Sequence, residues 1–260
     1  MQINNASRFD GFAELYDSAR PAAPSVAVEI IMRHLNRKPN CVIDLGCGTG
    51  LSTAMWQDLA DKIIGIEPND GMRKIAEERC PNIEFIGAYS HETGLPDDSA
   101  DIITCSQSFH WLEPTSTLAE VNRLLRLGGV FAVYDCDWPP CAFGNADRAY
   151  EKLFSKVHAL DSERSAYPKE RHLQNMKDSG YFGYVRELVF HNEESCTATR
   201  YIALAESQGG LQAVRKSNPK AIENEWEEFV VAANKAFGDE EQTIFFGYRM
   251  RLGVKKYSVL

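Results

Sequence analysis

The sequence predicts an α/β fold in which a parallel sheet is buried between helices. Two observations carry this. From Cys41 to about Tyr134, short and nearly unbroken apolar runs alternate with amphipathic stretches, the pattern of strands joined by crossover helices. The first of those runs passes directly into a glycine-rich turn, Gly46-Cys47-Gly48-Thr49-Gly50. Runs apolar along their whole length suit strands covered on both faces rather than one. At 260 residues, 44% hydrophobic and 25% charged, the chain can build such a core as a single domain.

Taken in order, residues 1–40 carry two helical patterns: Phe9, Phe12, Ala13 and Tyr16, then Val28, Ile31, Met32 and Leu35 behind a Ser25 cap, with an Arg20-Pro21 turn between them. The core, 41–135, then reads as strand CVIDL, helix Leu51–Ala60, strand IIGIE, helix Gly71–Arg79, strand IEFI, strand DIITCS, helix Thr115–Leu127 and strand VFAVY. Gly128-Gly129 is expected to stop the last of these helices and turn the chain into VFAVY. Residues 141–237 read as an inserted helical cap: charged helices over 141–180, a late strand at 184–190, and helices at Thr197–Glu206 and Leu211–Phe237. A last strand is expected at 244–254.

The net charge is −9 with a pI near 5.2, so the chain as a whole repels a phosphate backbone and nucleic acid is not an expected partner. No run approaches the roughly 20 apolar residues of a membrane span, and the start MQINNASRFD lacks a secretory signal, which makes a cytoplasmic location the expectation. The seven cysteines contain no Cys-x-x-Cys pair, so free, mostly buried thiols are expected and no metal site.

The glycine turn follows a buried strand, where the absence of a Cβ lets backbone approach a ligand and a following helix start would offer free amides. A dinucleotide loop wants G-x-G-x-x-G, but position 51 is Leu and Asp44 precedes the first glycine by two, so a cofactor without a pyrophosphate fits better. The next strand ends in Glu67, followed by Pro68; a carboxylate at that edge can accept both hydroxyls of a ribose. Strand, turn, helix, strand and terminal acid in this order make a nucleoside pocket.

This segment resembles the cofactor motif of class I S-adenosylmethionine-dependent methyltransferases. Ala88-Tyr89-Ser90-His91, Ser106-Gln107-Ser108-Phe109-His110-Trp111 and Leu124–Gly129 look like the family's later signatures, and His110-Trp111 is similar to the type 11 small-molecule group, including its trans-aconitate methyltransferase-like branch. Two positions depart: Leu127 stands where the family often has Pro, and Tyr89 where it often has a carboxylate that reads adenine. The resemblance implies a Rossmann-like, doubly wound, seven-stranded sheet of order 3-2-1-4-5-7-6 with strand 7 antiparallel. It also implies S-adenosyl-L-methionine as cofactor, bound by Gly46, Cys47, Gly48, Gly50, Glu67, Pro68, Tyr89, Ser90, Ser106 and Gln107. Tyr16 and Arg20, in an N-terminal lid, would meet the cofactor's methionine end; Asp44 would position the amino group through water or fix the turn.

Methyl transfer from a sulfonium needs an aligned nucleophile more than a strong acid or base. His110 is placed at the reacting edge as base or acceptor contact, with Trp111 and Trp138 as walls of the acceptor pocket. The cap cations Arg164, Lys169, Arg171, His172 and Arg200 are candidates for a carboxylate of the acceptor, which is expected to be a small molecule methylated on oxygen. Two other readings stay open: a silent cofactor-binding regulator and a nicotinamide oxidoreductase.

Overall fold

A computed structural model describes residues 19–21, 24–161 and 167–256. The proposed lid residues Phe9, Phe12, Ala13 and Tyr16, and the cap cation Arg164, lie outside the described residues. Seven strands form one sheet: β1 (Cys41–Leu45), β2 (Lys62–Ile66), β3 (Glu84–Ile86), β4 (Ala100–Ser106), β5 (Leu125–Cys136), β6 (Phe182–Cys196) and β7 (Gln242–Lys255). Their order is β3-β2-β1-β4-β5-β7-β6, with β7 antiparallel to both neighbours and the remaining pairs parallel, as the resemblance implies. The central strands are apolar throughout because their alternate residues enter two cores. Ile43, Leu45, Ile103, Cys105, Phe131 and Val133 pack under helix α3 (Pro114–Leu124), and Val42, Ile102, Val130 and Ala132 pack with helix α1 (Ser25–Leu35) on the opposite face. Helix α2 (Asp70–Arg79) joins β2 to β3, its Asn69 cap accepting from the Met72 amide at 2.9 Å.

A third core lies beyond the sheet. Helices α4 (Gly144–Leu160), α6 (Ala198–Glu206), α7 (Gly209–Ser217) and α8 (Glu223–Phe237) pack Tyr150, Leu153, Tyr201, Leu211 and Phe229 against Ile244, Phe246 and Tyr248 of β7. The β5–β7 pairing ends at Cys136↔Tyr248, so residues 242–247 of β7 pair with β6 past the sheet's edge and carry this cap. The short helix α5 (His172–Asp178) returns to the sheet and buries Met176 beside Phe182.

Several boundaries differ from the sequence reading. The expected helix Leu51–Ala60 is a single 3-10 turn, Thr53–Trp56. Ser52 and Thr53 turn their hydroxyls inward onto Asp44 while Trp56 is fully buried, so this stretch is held by its side chains instead of by a helical ladder. Helix α3 stops at Leu124, and Gly128-Gly129 lie within β5, where Ala100↔Leu125 is followed by Ile102↔Val130. A Cβ on Gly129 would stand 2.8 Å from the Arg126 carbonyl oxygen, so this irregularity requires glycine. The expected helix Leu211–Phe237 is broken at Pro219, which cannot donate a backbone hydrogen bond. The late strand extends from 184–190 to Phe182–Cys196, and Ser25 is the first residue of α1 and makes no cap.

Two buried carboxylates pin the sheet. Asp101 accepts from Arg37 (2.6 Å), Arg126 (2.9 Å) and the amides of Asn40 and Cys41. Burial pushes its carboxyl up, but the two guanidinium groups and two amides outweigh it and hold it below the ordinary range. Asp135, at the carboxyl end of β5, faces Arg251 of β7 at 3.3 Å, Lys169 at 3.2 Å and His110 Nδ1 at 3.2 Å, with His172 Nε2 at 3.9 Å. Arg251 also pairs with Glu187 of β6 at 2.8 Å, so one network ties three strands to α5.

His172 has no exposure, and neither ring nitrogen has a hydrogen-bond partner among the described residues. Burial lowers its pKa to about 4, against the nearby Asp135 charge, which acts to raise it. The unfolded chain, with an imidazole near 6.5, therefore binds this proton first as pH falls. Stability should drop by about 3 kcal/mol between roughly pH 6.5 and 4 from this group. In denaturant titrations across that range, His172→Phe should flatten most of the acid loss while changing stability at pH 7 by under about 1 kcal/mol. An unchanged acid limb in the variant would assign it to other groups.

Candidate cofactor and acceptor site

The glycine turn is locked from three sides. Asp44 is fully buried and accepts from Ser52 (2.7 Å), Thr53 (2.8 Å) and Thr104 (2.8 Å), joining β1, β4 and the turn. Burial raises its pKa against those three hydroxyl bonds. It fixes the turn and does so with both oxygens. Gly46 and Cys47 donate to the Ile66 carbonyl (2.8 and 3.1 Å), and Ser108 Oγ donates to Leu45 (2.7 Å). Gly46 has φ +66° and its Cβ would meet Ser108 at 2.8 Å, so no side chain fits there. Cys47 is a buried free thiol, its pKa raised well above ordinary by burial, which makes it inert packing.

Glu67 follows β2 and is 7% exposed. One carboxylate oxygen accepts from the Gly48 amide at 3.0 Å and the other from the Asn69 amide at 2.8 Å, so it latches the turn to the start of α2. Burial raises its pKa against these bonds. Each oxygen retains a second lone pair for a ligand hydroxyl. Two observations test whether this ground fits a nucleoside with an amino-acid tail, and both agree. Among the described residues, Thr49 Oγ1, in the turn itself, is buried without a partner, and a Cβ at Gly48 would meet only Met72 at 3.9 Å, leaving a recess beside the Glu67 latch.

The second strand edge is less open than the sequence reading expects. Tyr89 is exposed and stacks on His91, with ring centroids 5.7 Å apart, whereas Ser90 is buried on Thr117 Oγ1 at 2.9 Å. Their loop is anchored by Glu120, which accepts from the Thr93 amide and hydroxyl and pairs with Arg123; these bonds outweigh burial and lower its pKa to about 2. Ser106 ends β4 and Gln107, at φ +56°, donates its amide to Tyr134. His110 and Trp111 stand in the 3-10 turn Phe109–Trp111, just beyond the end of β4.

Gln107, His110, Trp111 and Trp138 line one cavity of about 730 Å³ together with α4 and residues 167–170. That size suits a small-molecule ligand. The segment after the undescribed residues is tied to the site, since the Tyr167 amide donates to the His110 carbonyl at 2.7 Å. Arg20 also lines the cavity, its guanidinium donating to the Ser207 carbonyl at 3.1 Å and lying 4.8 Å over the Trp138 ring. Of the cap cations, Lys169 and His172 turn to Asp135, Arg200 pairs with Glu194, and Arg171 is exposed.

Sequence reasoning missed Asp135. Its ionised carboxylate can only accept, so the neutral His110 ring donates from Nδ1 and keeps its lone pair on Nε2. Burial lowers the His110 pKa; Asp135 opposes this and Lys169 adds to it. Donor atoms of His110, Asp135 and His172 lie within 4.8 Å of one another, the spacing of a metal triad. Both Asp135 oxygens already face cations, however, and a divalent ion there would meet the charges of Lys169 and Arg251. The cluster is an ion-pair network around a histidine.

Residues 43–133 match the family described as a methyltransferase domain. A Campylobacter jejuni ubiquinone/menaquinone biosynthesis C-methyltransferase is 33% identical over 117 residues, 42% of this chain and 50% of that protein. A Saccharomyces cerevisiae protein named as an S-adenosylmethionine-dependent methyltransferase is 29% identical over 126 residues, 46% of this chain and 43% of the relative. The chain thus spans about half the length of the curated relatives it matches. In structure it is similar to a chain from Anaeromyxobacter dehalogenans named as a type II methyltransferase, with a TM-score of 0.68 over 91% of this chain and 97% of that one at 20% identity. The strand order, the locked turn and the Glu67 latch agree with that match: residues 43–133 of this chain are similar to a methyltransferase domain, and the fold is that of the methyltransferase structures it resembles.

Proposed function

We propose that this chain methylates an oxygen of a small-molecule acceptor held in the cavity beside His110. The observation that carries the reading is the His110–Asp135 pair at 3.2 Å on the wall of that cavity. When bound, S-adenosylmethionine supplies a methyl group on a sulfonium, already a good leaving group. Glu67 accepts the ribose hydroxyls. Gly46, Cys47, Gly48 and Gly50 offer backbone, Thr49 offers its unpartnered hydroxyl, and Ser106 and Gln107 close the strand-end side. Pro68, Tyr89 and Ser90 border the base, and Arg20 borders the methionine end; the same role is proposed for Tyr16, which lies outside the described residues. Asp44 acts through the turn that it fixes.

On the acceptor side, Trp111 and Trp138 wall the cavity and His110 stands ready with a free lone pair. A buried imidazole with a lowered pKa is neutral at pH 7 and takes a proton from a hydroxyl as its oxygen becomes methylated. Asp135 orients the ring and stabilises the imidazolium that forms. A carboxylate acceptor needs no such base, and for it His110 is a contact only. Among the described residues no helix is long and apolar enough to cross a membrane.

Calorimetry with S-adenosylhomocysteine should show binding without added metal. Glu67→Gln should weaken it by about 1.5 to 3 kcal/mol, because the amide offers one acceptor oxygen where two backbone amides and the ribose compete. Binding of a nicotinamide dinucleotide in its place would overturn the reading.

Mass detection of methylated products across hydroxyl and carboxylate acceptors identifies the substrate. With a hydroxyl acceptor, His110→Ala should lower turnover about a hundredfold or more at unchanged cofactor affinity. The wild-type rate should fall as pH drops through the His110 pKa, which lies below the ordinary 6.5. Turnover kept within a few-fold, with a flat acid profile, would make His110 structural.

A further inference from the structure

The same cavity has a second polar wall, contributed by α4 and the junction between α6 and α7. Tyr150 and Gln208 both line the cavity. Tyr150 is 2% exposed, and neither its Oη nor Gln208 Nε2 has a hydrogen-bond partner among the described residues. Burial raises the phenol's pKa far above its ordinary value; Arg20 is the foremost charge acting against that rise, and the Gln208 side chain acts the same way by its approach to the phenol oxygen, which falls short of a full hydrogen bond and leaves the phenol O–H without an acceptor among the described residues. The wall therefore holds a protonated phenol and a primary amide, in the field of a guanidinium seated on Ser207 and Trp138. Buried donors without acceptors destabilise a fold, and a ligand oxygen removes that cost.

We propose that Tyr150 and Gln208 anchor a carboxylate of the acceptor, so that the substrate is a hydroxy acid whose hydroxyl, not its carboxylate, is methylated. This rests on the methyltransferase reading above. At His110 the acceptor O–H bond breaks with its proton passing to Nε2, an O–CH3 bond forms as the S–CH3 bond breaks, and the anchored carboxylate is unchanged. The acids near the cavity do not oppose this placement. Asp137, Glu151 and Glu170 are exposed at the rim, where water and salt screen them. Asp161 Oδ2 lies at the first turn of α7, 3.2 Å from the position of a Gly210 Cβ, and the positive end of a helix favours a negative charge there.

Three phenols of similar size test the anchor: para-hydroxyphenylpropionate, para-propylphenol and tyramine, each titrated calorimetrically into the full chain saturated with S-adenosylhomocysteine. The carboxylate should bind about tenfold or more tighter than the neutral and cationic phenols. Tyr150→Phe and Gln208→Met should each remove about five- to tenfold of that preference and leave S-adenosylhomocysteine affinity unchanged. Tyr150→Phe deletes only an unpartnered hydroxyl, and its melting temperature checks that the fold is kept. Equal or tighter binding of propylphenol or tyramine, binding of none of the three, or an undiminished preference in both variants would overturn the anchor. So would weakened S-adenosylhomocysteine binding in the variants, which would give these donors to the cofactor's own carboxylate. If wild-type protein binds no S-adenosylhomocysteine, the methyltransferase reading fails by itself, and the same titrations without cofactor still read the anchor.

Discussion

A buried carboxylate held by three hydroxyls is the constraint on which the cofactor end depends. Asp44 cannot be solvated, and its oxygens are satisfied only when Ser52 and Thr53 fold back over the turn and Thr104 stands in register on β4. That requirement dictates the tight path through Gly46 and Gly48, and it is why the chain after the turn forms a 3-10 turn where apolar spacing favours a longer helix. With the turn so fixed, the Gly48 amide reaches Glu67, and the strand β2 edge becomes part of the same rigid unit. The glycine turn and the Glu67 carboxylate are therefore held by this one packing problem.

The acceptor end is built on a different principle. There the anchoring carboxylate, Asp135, sits among cations instead of hydroxyls, and its partners come from β5, β7 and the 167–172 segment. Such a network is costly to break, because removing one member strands a buried charge. It holds the His110 ring in one tautomer without closing the cavity. The two ends meet at the β4 turn, where Ser108 supports the glycine turn and His110, two residues on, faces the cavity.

Much of this was legible in the sequence, for a physical reason. The sheet announces itself because doubly covered strands must be apolar at every position, and Val42 and Ile43 entering opposite cores is that rule at work. Gly46–Gly50 and Glu67 were legible because backbone approach and a terminal acid leave residue types that nothing else explains. The helix after the turn was not, since Leu51, Ala54 and Met55 suit a helix and only the inward pull of Asp44 on its neighbours prevents one. Asp135 was hidden because an acid after an apolar run reads as a strand end; its partners are 25 to 116 residues away in the chain. Tyr150 sits on a helical face and Gln208 between two helices, where an aromatic and an amide look like ordinary packing, and only polar atoms left unsatisfied among the described residues mark them.

The cap's mounting carries one more consequence. Past Tyr248 the sheet narrows to a ribbon of β6 and β7, joined on its other edge by the backbone of Asp137 and Cys141 among the described residues. A two-stranded ribbon twists more readily than a full sheet. The cap that carries Tyr150 and Gln208 is thus mounted on the part of the sheet that resists torsion least, whereas the glycine turn, on β1 beyond β5 and β4, stands on the full sheet.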